Sequence, residues 1–175
     1  RYTEMRSWSS DDVMYLDKFR YCGSNGTFRF LPGSVMRQGA FVAPGVVVMP
    51  PSFINVGAYV DEGSMVDSLA LVGSCAQIGK RCHISAGTVI GGVLEPQVAM
   101  PVIIEDDAFV GGNCGIYEGV IVHSGAIIGT GTIINASTAI IDATTGKTYV
   151  REVPPNAVVI PGGKRKVING EEYVI

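Results

Sequence analysis

The sequence predicts an all-β chain, a parallel β-helix built from six-residue repeats, on three observations. Residues 35 to 94 divide into ten successive hexads, from VMRQGA to VIGGVL, with no slip in register. The second residue of each is Met36, Val42, Val48, Ile54, Val60, Val66, Val72, Ile78, Ile84 or Ile90, and a small or β-branched residue follows four places later in nearly every unit. The composition is 47% hydrophobic yet only 8% aromatic, with 23 glycines, which suits many short strands joined by tight turns better than packed helices.

One inward aliphatic per hexad implies a short strand, a turn and another strand on the next face of a prism. Three hexads close one coil, so residues eighteen apart stack at about 4.8 Å, the spacing of paired strands. A sandwich also alternates apolar residues, but nothing in it demands a fixed period of six. The period does not set handedness, and general crossover statistics favour right-handed connections.

Taken in order, residues 1–34 lack the period and form a leading segment, in which SSDDVMYLDKF reads as a short helix capped by Ser10 or Asp11. The β-helix itself is expected over residues 35–142. Its phase breaks over 94–102, LEPQVAMPV, whose two prolines cannot donate to a ladder, so this stretch reads as one excursion loop of a kind that often carries function. Hexads resume at Ile103 as IIEDDA, FVGGNC, GIYEGV, IVHSGA, IIGTGT, IINAST and AIIDAT. Residues 143–175 leave through a turn and the Pro154-Pro155 pair, and this tail is expected to pack against the outside of the prism. A chain of 175 residues accommodates one principal domain. Its start at Arg1, without a methionine, is read as trimming or as an excerpt from a longer protein.

A net charge of −3 and a sequence pI near 5.3 give no basic field to attract nucleic acid or an anionic membrane. No apolar stretch approaches the roughly 18 residues of a membrane span, and no secretory signal pattern opens the chain, so a cytoplasmic location is expected. Cys22, Cys75, Cys82 and Cys114 form no C-x-x-C pair and read as small buried thiols.

A β-helix of this type has flat faces, so a ligand site needs a neighbouring subunit, an excursion loop or the tail. Tyr59, Met65 and Leu71 fit a subunit interface, and a homotrimer would create three clefts suited to a long thin ligand such as coenzyme A. Asp61 and Asp67 each follow an inward aliphatic and point away from the core, either as solvated turn carboxylates or as a group that orients or deprotonates an amine nucleophile. His83 and His123 are too few for a three-histidine zinc site, so no metal is expected, and each is either a surface histidine or an acyltransfer base. Cys75 is a weaker nucleophile candidate. IGGV and IGTGTI recur with the hexad and precede no helix, so they are turns and not phosphate loops. Lys164, Arg165 and Lys166 are the one basic run, read either as a solvated tail or as contacts to coenzyme A phosphates.

The segments FRFLPGSVMRQGAFVAPGVVVMP, INVGAYVDEGSMVDSLALVGSCAQIGK, IGGVLEP and PVIIEDDAFVGG closely resemble the tetrahydrodipicolinate N-succinyltransferases, from about Phe28 to Gly163. The resemblance implies a left-handed helix and a cytoplasmic homotrimer with active sites between subunits. It further implies succinyl transfer from succinyl-CoA to the nitrogen of a cyclic dicarboxylate in bacterial lysine and diaminopimelate synthesis. It assigns substrate binding to Arg29, in FRxxP, and places Asp67, in MVD, at the substrate amine. An arginine fork can clamp a carboxylate, and an aspartate can hold or deprotonate a ring nitrogen. Many members carry an acid/base glutamate where this chain has Gly115; Glu118 is the nearby carboxylate that could substitute, and Lys164 and Arg165 are the candidate coenzyme A contacts. The family also has a helical N-terminal domain and a longer C-terminal segment. Two other readings stand beside this one: a related N-acetyltransferase using acetyl-CoA, and a non-catalytic trimeric scaffold.

Overall fold

A computed structural model describes residues 28–93, 99–163 and 165–174. The helix expected around Ser10 and Asp11, and Cys22, lie outside the described residues, as do residues 94–98 of the loop. Among the described residues no helix is long and apolar enough to cross a membrane.

The described chain is a three-faced prism of two-residue strands. The first face orders the strands beginning at Arg29, Val47, Met65, His83, Phe109, Ile127 and Val158; the second runs from Val35 through Phe53, Leu71, Val89 and Gly115 to Ile133; the third from Phe41 through Tyr59, Gln77, Ile103 and Ile121 to Glu152. Every ladder within these faces is parallel, and in regular coils partners lie eighteen apart, as in Met65↔His83 and Leu71↔Val89. The second strand residue points inward throughout: Val48, Ile54, Val60, Val66, Val72, Ile84, Ile90 and Ile116 are fully buried. The small sixth residue, such as Ala76, Cys82 or Ala126, fills the corner beneath it.

The fifth residue of the hexad turns the corner with positive φ, which explains the recurring glycine, for example Gly57 at 73°. Leu69 (63°) and Arg81 (52°) adopt the same left-handed conformation without being glycine.

The prism begins one hexad earlier than the period suggested, because RFLPGS already obeys it: Arg29–Phe30 pairs with Val47–Val48. Two excursions interrupt the prism, not one. Ile103 stacks on Gln77, 26 residues away instead of 18, so 8 residues are inserted where the 94–102 loop was expected. Glu152 stacks on Ile121, 31 away, which leaves 13 inserted residues. AIIDAT is therefore not a coil. Ala139–Ile141 pairs in antiparallel fashion with Thr148–Val150, and the connecting turn is closed by Asp142, whose carboxylate accepts from the backbone N–H of Thr144 at 2.8 Å and from the hydroxyls of Thr144 and Thr145.

Nor does all of the tail lie outside. Glu152–Val153 rejoins the third face and Val158–Val159 the first, and Val153 is fully buried. Arg165–Ile168 and Glu171–Val174 then form a closing hairpin.

Candidate functional site

The first face carries an outward column in which Arg29, Val47, Met65, His83, Phe109 and Ile127 are successive ladder partners. Arg29 is exposed, and it sits two rungs from Met65, about 10 Å at the spacing of paired strands. Arg29 therefore lies on the face that leads into the Asp67 corner, without adjoining rungs.

Asp67 leaves the Met65–Val66 strand at the corner. Its Oδ1 accepts the backbone N–H of Ser68 at 2.7 Å, fixing the side chain on its own turn. Its Oδ2 faces Nε2 of His83 at 4.0 Å, and both side chains are about one third exposed, 32% and 38%. His83 stands one rung above Met65, and its ring lies against Phe109 with centroids 5.1 Å apart. The structure thus joins two of the sequence candidates that were weighed separately.

Asp61 makes the same kind of turn at a different corner, accepting from Glu62 N–H at 2.8 Å. Its other neighbour is Tyr59, whose hydroxyl is raised above its usual range by burial and then by the Asp61 charge. Tyr59 stacks on Phe41 at 5.0 Å. Tyr59, Met65 and Leu71, expected to share an interface, occupy three different faces and cannot meet one flat partner surface together.

Glu118 is not brought to Asp67 within the chain. It follows a second-face strand at another corner, exposed, and its Oε2 accepts the backbone N–H of Ala136 at 3.0 Å. Gly115 is buried, and any Cβ added there would collide with the ring of Tyr117, which lies over it. Lys164 falls outside the described residues; Arg165 is exposed on the terminal hairpin, 3.8 Å from Glu172 on the opposing strand.

A second histidine–carboxylate corner went unread in the sequence. Nδ1 of His123 lies 3.1 Å from Glu105 and Nε2 lies 3.8 Å from Glu152. The other Glu105 oxygen accepts both the N–H and the hydroxyl of Ser124, at 3.0 and 3.1 Å. Burial alone would raise the Glu105 carboxyl, but the Ser124 and His123 hydrogen bonds outweigh it and hold it below its usual value. The signal available was the spacing, since Glu105 and His123 are one coil apart. Among the described residues no cluster of three or more histidine, cysteine or acidic residues could hold a metal ion. Burial pushes the Cys82 thiol up to about 11 and also raises that of Cys114.

Residues 101–136 match the family model described as the hexapeptide repeat of succinyl-transferase. The 2,3,4,5-tetrahydropyridine-2,6-dicarboxylate N-succinyltransferase of Gluconobacter oxydans is 55% identical over 83% of this chain and 52% of its own length. That of Granulibacter bethesdensis is 57% identical over 79% of this chain and 49% of its own. The chain thus spans about half the length of the curated relatives it matches. Among solved structures, the acetyltransferase domain of PglB from Neisseria gonorrhoeae shares the fold with a TM-score of 0.54 at 17% identity, covering 73% of this chain and 54% of that one. A perosamine N-acetyltransferase from Caulobacter crescentus, in complex with CoA and GDP-perosamine, gives 0.52 at 19% identity, covering 80% and 55%. Sheet topology and these likenesses together make the chain an all-β, left-handed parallel β-helix.

Proposed function

We propose that this chain belongs to the hexapeptide-repeat succinyltransferase family, and that the full-length protein transfers the succinyl group of succinyl-CoA to the ring nitrogen of tetrahydropyridine-2,6-dicarboxylate, in lysine and diaminopimelate biosynthesis in the cytoplasm. The observation that carries this reading is the identity, 55% with the Gluconobacter oxydans relative, over a stretch that forms nearly the whole prism. Arg29 clamps a substrate carboxylate, and Asp67 holds the ring nitrogen with the oxygen that Ser68 leaves open. Three copies pack around the exposed apolar side chains of the faces, among them Phe109, Ile127 and Ile133, which are 42%, 43% and 53% exposed in one chain. The clefts between copies receive the acyl-CoA, with Lys164 and Arg165 near its phosphates. Glu118 stands at another corner, with Oε2 on the Ala136 backbone N–H, and takes no acid/base part in this reading.

The test is thiol release from succinyl-CoA and from acetyl-CoA by the full-length protein in the presence of the cyclic dicarboxylate. Release that depends on succinyl-CoA and is lost in Asp67→Ala supports the reading. Preference for acetyl-CoA moves the donor, and no release from a folded protein overturns the assignment.

A further inference from the structure

We infer that His83 is the proton acceptor for the substrate nitrogen, acting with Asp67 as one unit across adjacent coils; the inference rests on the transferase reading and deepens it. With Oδ1 of Asp67 held by Ser68 N–H, Oδ2 faces Nε2 of His83 across 4.0 Å. That gap is too wide for a direct hydrogen bond, yet a single nitrogen atom can lie about 2.9 Å from both. The His83 backbone N–H is tied to Ala108 O at 3.0 Å, and one face of the ring rests on Phe109. The ladder neighbours of His83 are Met65 and Phe109, neither of which titrates, so Asp67 is the carboxylate that faces the imidazole.

The other candidates for this role are occupied elsewhere. Position 115 carries no side chain and is roofed by Tyr117. Glu118 caps Ala136 at a different corner. His123 stands between Glu105 and Glu152.

Water first adds across the ring C=N bond, its proton going to nitrogen and its hydroxyl to the ring carbon; the resulting N–H nitrogen attacks the thioester carbonyl, and the C–N bond forms as the nitrogen's proton passes to Nε2 of His83. The C–S bond breaks, and the departing thiolate takes that proton from the imidazolium, returning His83 to its neutral form. Asp67 orients the nitrogen and stabilises the transient imidazolium, and it keeps no proton.

The test is the steady-state kinetics of His83→Gln in the full-length protein, with the wild type and the same protein bearing Phe109→Leu as comparisons. The expected result is a fall in kcat of about a hundredfold or more, KM within about twofold, and loss of the acidic limb of the pH profile. A limb arises in the wild type because only neutral imidazole can accept the proton. Phe109→Leu keeps that limb, since the imidazole remains. An unchanged kcat and unchanged limb in His83→Gln, with wild-type transfer intact, overturns the inference and leaves the transferase reading standing. Absence of transfer by the wild type brings down both.

Discussion

Two corners of the same prism carry a histidine beside a carboxylate, and they differ in how much of their hydrogen-bonding capacity is already used. At the first, Asp67 and His83 face each other across 4.0 Å with one carboxylate oxygen committed to a local turn. At the second, Glu105 reaches His123 at 3.1 Å, takes two further bonds from Ser124, and Glu152 approaches the far side of the ring. The second corner joins three consecutive coils, ending at the strand that returns from the 139–150 hairpin. A histidine and a carboxylate thus form a clamp where a glutamate lies one full coil away, and an open pair where a shorter aspartate lies two residues short of one.

The comparison breaks most visibly at Asp67. Asp67→Ala is expected to lower transfer about a hundredfold to ten-thousandfold, while the melting temperature stays within a few degrees; a stability loss with intact transfer would make the open corner structural. Next in size is Ile84→Ala, which empties a fully buried site in the coil that carries His83, costing about 2–5 kcal/mol in chemical denaturation. Removing the clamp is milder: Glu105→Gln should cost under about 1 kcal/mol, since the pair is partly exposed, with kcat unchanged. Because the Glu105 carboxyl is held below its usual value in the folded chain, its contribution is present above the ordinary carboxylate range and disappears as pH falls through the lowered value. The melting curves of wild type and Glu105→Gln should therefore converge in acid. Smallest is the behaviour of the thiols: Cys82, raised to about 11, and buried Cys114 should resist alkylation at neutral pH until the prism unfolds, as peptide mapping would report.

Much of this was legible in the residues. Position two of the hexad marks the core from Val42 to Ile134, because a solenoid repeats its environment with its sequence. The first excursion was legible for the same reason, as a break in phase. The second was not, since AII at 139–141 continues the apolar pattern, whereas the turn chemistry of Asp142, Thr144 and Thr145 decides the conformation. Counting along the chain also missed RFLPGS and the two hexads from Glu152, which are coils interrupted or preceded by sequence of another kind. Within the candidate site, Asp67 was singled out by its place after an inward aliphatic and by resemblance, and Arg29 by resemblance alone. Pairing Asp67 with His83 required the direction of the corner, which a period of six does not contain.

The central claim is that the open corner binds the reacting nitrogen and the clamped corner does not. In the full-length protein, a proton NMR titration of the ring signals of His83 and His123, assigned with His83→Gln and His123→Gln, reads both corners at once as the cyclic dicarboxylate is added. The account predicts a saturable shift of the His83 signal with His123 unmoved. A shift confined to His123, or no shift at saturating dicarboxylate, would contradict it.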